Sequence, residues 1–178
     1  MACFVDPERI PALAEAWRRL VARRRGAGEF PWTGAILRAL ELDGYRRSET
    51  HRRGWIAEQL GVPIEVEDTG LGFLKDTGQV TFNGTHYEPE AHTVDTAMTP
   101  DVGRQLKVHW TEIAAERLRQ NVPGQFSYNV FAVSSADLER IRELHLAYFR
   151  QLRAVVAESR PADVVAVVNV QLFSLGRP

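Results

Sequence analysis

The residues best able to do metal chemistry alternate along one stretch: His86, Glu88, Glu90 and His92. On an extended chain that spacing projects all four to one side, and imidazole with carboxylate is a donor set that zinc and related divalent metals accept. Pro89 interrupts the run and nothing nearby supplies a supporting shell. These residues therefore read as solvent-facing, and no metal is expected. Glu65 and Glu67 stand two apart, which on a helix turns them away from each other and makes a poor acid–base pair. His109 and His145 lie in helical apolar surroundings, and Cys3, the sole cysteine, has no activating neighbour. There is no Gly-x-Ser-x-Gly elbow and no phosphate-binding loop. The chain is not expected to be an enzyme, and no catalytic residue or cofactor is assigned.

A second chemistry is charge alone. Arg46, Arg47, His51, Arg52 and Arg53 crowd into eight positions, and Lys75 follows on a helix. Cations of this kind neutralise phosphates, which positions a duplex without reading its sequence. The 178 residues carry 22 Lys/Arg against 23 Asp/Glu, a net charge of -1, so a uniformly basic nucleic-acid binder is excluded. The balance is uneven. Residues 1–60 hold 11 basic and 8 acidic groups, residues 61–100 hold Lys75 against seven acids, and residues 101–178 hold 10 against 8. At 44% hydrophobic and 25% charged the composition is that of a globular chain. It has no signal-peptide start and no apolar run long enough to span a membrane. A cytoplasmic protein away from the membrane is expected.

The elements that must position these residues follow from periodicity. Residues 7–25 form an amphipathic, Arg-rich helix, and a second helix runs from Pro31 to Leu42. A third spans about 51–60 with Trp55, Ile56 and Leu60 on one side, and a fourth spans about 64–76 with Val66, Leu71, Phe73 and Leu74 as apolar positions. Gly70 and Gly72 each weaken the fourth by ~1 kcal/mol relative to Ala. Asn83-Gly84 predicts a two-residue hairpin turn with Phe82 opposite Thr85. Three helices and a two-stranded ribbon in this order make a winged helix, the last helix being the groove-entering one.

Beyond a linker at 88–98, a helix spans about 99–120 and a strand 126–133. A long helix, 135–159, opens on Ser134 with Asp137 in a capping-box-like spacing, and a nearly continuous apolar strand, 164–175, follows. Strand, helix and strand with short connections are a βαβ unit. Two strands bury little alone, so a homodimer with a sheet continued across a two-fold axis is expected.

Certain stretches also resemble a family. The segments Phe131-Ala-Val-Ser-Ser-Ala-Asp-Leu138, Phe149-Arg150 and Val168-Asn-Val-Gln-Leu-Phe173 are similar to those of a bacterial family with a C-terminal domain of unknown function. Trp55-Ile56-Ala57, Leu60, Val66, Leu74 and Gly78 resemble the same family's winged-helix region. The resemblance covers about residues 31–175 and implies a transcriptional regulator without catalytic residues.

The expectation is thus an α+β protein, with a winged-helix region followed by a small helix plus βαβ domain. Its parts are a basic N-terminal helix (1–30), a winged-helix domain (31–90) and a C-terminal α/β domain (99–178). Duplex DNA would bind at Arg46, Arg47, His51, Arg52, Arg53 and Lys75. The alternative is a non-catalytic interaction or scaffold protein, whose acidic fourth helix (Glu65, Glu67, Asp68, Asp76) and wing meet a protein partner.

Overall fold

Short helices packed at close range make up residues 33–76, whereas two long helices dominate residues 100–158. The computed structural model describes residues 28–90 and 100–176. The expected N-terminal helix at 7–25 and the linker beyond residue 90 lie outside the described residues. Six complete helices and one hairpin are described: α1 (Thr33–Ala39), α2 (Asp43–Arg46), α3 (Trp55–Leu60), α4 (Ile64–Asp76), β1 (Val80–Phe82), β2 (Tyr87–Pro89), α5 (Pro100–Arg119) and α6 (Ser135–Glu158). The fold is mixed, mainly helical with a two-stranded antiparallel sheet, which is compatible with an α+β class.

The core lies between α1, α3, α4 and β1. Ile36 and Leu40, Ile56, Leu74 and Val80 are all but inaccessible to solvent, each burial contributing on the order of 1.5–3 kcal/mol. On α4 the buried positions are Glu67, Gly70, Leu71 and Leu74, the spacing of one helical face. Gly70 is there because α1 comes too near for a side chain: a Cβ would lie 2.2 Å from Ile36 Cδ1, whereas one at Gly72 would meet nothing within 4 Å. The glycines expected to weaken this helix leave it unbroken over its full predicted length.

Two local expectations change. The helix predicted over 51–60 begins only at Trp55, because residues 47–54 form a loop ending at Gly54, whose φ of +89° is left-handed. The hairpin pairs Phe82 with Tyr87, Thr81 with Glu88 and Val80 with Pro89, two residues out from the expected register. Asn83 acts through its side chain: Oδ1 accepts the N–H groups of Thr85 (2.9 Å) and His86 (2.8 Å). That Asx-type turn closes a four-residue loop, and Gly84 is its one residue at positive φ.

The larger correction concerns the C-terminal part. α5 and α6 form as expected, and Ser134 Oγ accepts the Asp137 N–H at 3.1 Å to cap α6. The βαβ unit does not form within the chain, since β1–β2 is the one sheet among the described residues. Among the described residues, 123–133 and 163–176 make no backbone–backbone hydrogen bond. β-branched composition favours an extended backbone but does not supply a ladder partner. This part joins the first half through Trp110, whose ring centroid is 5.1 Å from that of Trp32. Arg117 Nη2 donates to the Leu60 carbonyl (2.9 Å) and the Asp43 N–H to that of Ala162 (2.9 Å).

Candidate nucleic-acid interface

The basic cluster sits on α2 and the loop behind it, and the loop is held in place from three directions. Tyr45, buried on α2, accepts the Tyr87 N–H on its hydroxyl (3.0 Å), tying α2 to the second hairpin strand. Burial pushes its phenol above the ordinary value. From the hairpin loop, the Thr85 carbonyl accepts the His51 N–H (2.7 Å) and the Thr50 hydroxyl (3.1 Å). Ser48 Oγ lies 2.9 Å from His86 Nε2. From α4, the wholly buried Glu67 accepts the Gly54 N–H on Oε1 (2.8 Å) and the Ala57 N–H on Oε2 (2.7 Å). A carboxylate on a neighbouring helix thereby satisfies the orphan donors that open α3.

The four arginines point outward from this scaffold. Arg46, Arg47, Arg52 and Arg53 are all exposed. Arg46 has no ion-pair partner among the described residues, and Arg47 meets Asp43 at 2.6 Å. Arg52 Nη1 donates to Glu58 at 2.9 Å and Arg53 Nε to Asp68 at 3.0 Å. Those hydrogen bonds hold the Glu58 and Asp68 carboxyls below their ordinary values. The pairs are solvent-exposed and weak, so exchange for a phosphate is inexpensive.

His51 departs from the expected set. Its ring is turned inward, with Nε2 3.7 Å from Glu67 Oε1 and the ring edge-on to Tyr87 at 5.0 Å. The side chain keeps only 14% of its exposure, and burial lowers its pKa despite the facing Glu67. It positions the loop and is not offered to a duplex. Lys75 is exposed on α4. The outward face of α4 also carries Glu65, Asp68, Thr69, Gly72 and Asp76. The acidity expected of this helix is therefore only partly external, because Glu67 is internal and Asp68 is engaged by Arg53.

Glu67, expected on the acidic surface of the fourth helix, is instead wholly buried. Its signal was present: positions 67, 70, 71 and 74 share one helical face. As for metals, among the described residues no group of three His, Cys, Asp or Glu is placed to hold one. His86 is engaged by Ser48, and Asn83 Nδ2 donates to Glu88.

A family comparison covers nearly all of this architecture: residues 14–175 match the model of a domain of unknown function, DUF4423. The chain belongs to the DUF4423 family. The DUF4423 match runs through the helical half, the hairpin and the C-terminal helices alike, and its description carries no statement of activity. No curated protein and no solved structure matches the chain. No helix among the described residues is long and apolar enough to cross a membrane.

Proposed function

We propose that this DUF4423 protein is a transcriptional regulator whose helical half is a winged helix. α3, the Gly61-Val-Pro63 turn and α4 form its helix-turn-helix, and the β1–β2 hairpin forms the wing. The observation that carries this reading is the fixed loop 47–54: exposed arginines held between a helix pair and a hairpin by the Tyr45, Glu67 and Thr85 hydrogen bonds. Arg46, Arg47, Arg52 and Arg53 grip the phosphate backbone, and Lys75 adds a contact from α4. The acidic outer face of α4 argues against deep entry into the major groove, so binding is dominated by the backbone and only weakly sequence-selective.

Fluorescence anisotropy with a duplex pool tests this. Five phosphate contacts imply a loss of roughly 500-fold in affinity between 50 and 200 mM salt. Arg46→Ala with Arg52→Ala should reduce the slope of log affinity against log salt by roughly 2, alike for every duplex. Absence of binding to any duplex at low salt overturns the reading.

A second reading has its own support. Glu65 and Asp76 stand exposed on α4 without an ion-pair partner among the described residues, a surface that suits a basic protein partner. In that case the winged-helix shape serves protein interaction alone. Glu65→Lys with Asp76→Lys separates the two, strengthening duplex binding under the first reading and abolishing partner capture under the second.

A further inference from the structure

The C-terminal half exposes what a folded chain ordinarily hides. No residue from 100 to 176 is buried, and α5 and α6 contain no buried position. Before residue 100, Phe82 is the one exposed large apolar side chain among the described residues. Beyond it stand Tyr128 at 94%, Val130 at 73%, Leu144 at 69%, Val164 at 79% and Phe173 at 70% exposure, with thirteen more. Together they present on the order of 2,000 Å² of mostly apolar surface, against ~800 Å² per partner in a standard interface and a few hundred Å² in the patches of typical monomers.

In the same places the backbone has no ladder partner among the described residues. Asn169 Nδ2 and Gln171 Nε2 both donate to Thr111 Oγ1, at 3.0 and 2.7 Å. Two residues apart reaching one atom means that the chain there is extended. Val168 and Val170 then point to the other side. The segment lies along one wall of an open groove of about 1110 Å³, whose other walls are α5 and α6. Ladder donors and acceptors facing no partner are a template for strand addition.

α6 is two-sided. Leu138, Ile141, His145, Phe149 and Leu152 form a half-buried stripe, while Leu144, Tyr148 and Val155 form a second that is exposed. Residues 100–176 carry nine basic and eight acidic groups, so two copies meet without like-charge repulsion.

We infer that a second copy of this chain completes the C-terminal unit, the segments 126–133 and 164–173 of each copy pairing with those of the other into one sheet over the exposed stripe of α6. The occupant is the same chain because each copy supplies both the unsatisfied segments and the apolar face that needs cover, the self-complementarity of a two-fold interface. The inference does not rest on DNA binding.

Sedimentation equilibrium of the full chain at micromolar concentration should give twice 20.1 kDa. Amide exchange at 126–133 and 164–173 should be slow there and speed up on dilution. Tyr128→Asp with Val130→Asp alters two side chains that are open to solvent in a single copy. It should nonetheless weaken association at least a hundredfold while leaving the near-UV signal of Trp32 and Trp55 in the helical half. A 20.1 kDa species at micromolar concentration overturns the inference, whether those amides exchange freely, are protected within one chain, or lie under a bound small molecule. So does a dimer that both aspartates leave intact.

Discussion

Residues 33–90 and 100–176 share a helical periodicity, yet one closes on itself and the other does not. In the first, turns of a few residues bring α1, α3, α4 and β1 together, and nearly every apolar stripe finds its complement within sixty residues. In the second, one extended segment joins two helices of 20 and 24 residues and another follows them, and neither finds a ladder partner among the described residues. Amphipathic pattern thus sufficed for helices in both halves, but a core formed only where the connections brought complementary faces together. The candidate functional groups follow the same division. The exposed arginines stand on the self-sufficient half, and the unpartnered apolar surface belongs to the other.

The sharpest way to break this contrast is at Glu67. Glu67→Ala leaves the buried Gly54 and Ala57 N–H groups without an acceptor, and about 3 kcal/mol should be lost from the helical half, read as a lower denaturant midpoint. Loss of duplex binding should accompany it, because the arginine loop is released. Gly70→Ala comes next, with a net cost of ~1 kcal/mol: the clash with Ile36 outweighs the gain in helix propensity. Adding Ile36→Val removes the clashing methyl and should recover most of that loss, a coupling absent for distant pairs.

Protonation of His51 should have a smaller effect. Burial lowers its pKa from 6.5, with Tyr45, Tyr87, Glu67, Asp68 and His86 facing the ring or acting on its charge. The unfolded chain therefore takes the proton first. The stability is complete above about pH 6.5 and is lost as pH falls through the depressed folded value. His51→Gln should flatten that decline in urea midpoints, leaving the share of His109, which burial also lowers. Smallest is Gly72→Ala, where an added Cβ meets open space. A gain of up to ~1 kcal/mol is expected, and binding should be unchanged.

Much of the fold was legible in the sequence. The bounds of α4 and α6, the Ser134 cap and the hairpin at Asn83-Gly84 follow from spacing and from local hydrogen bonding. The hairpin register did not, because Asn83 used its side chain where positive φ was expected of its backbone. Of the candidate site, the exposed arginines were legible as a cluster, whereas the inward turn of His51 was not. That turn depends on Tyr87 and Glu67, 36 and 16 positions further along the chain.

The sequence alone determined what short-range physics controls: where helices start and stop, which residues carry charge, and which segments favour an extended backbone. Tertiary structure decided which acids are surface and which are scaffold. Glu65, Glu67 and Asp68 are near neighbours on one helix, yet one is exposed, one is buried as a cap for α3, and one is paired with Arg53. Tertiary structure also decided that the C-terminal extended segments find no ladder among the described residues. Both outcomes turn on which distant backbone groups come within hydrogen-bonding reach, and composition and periodicity do not encode that.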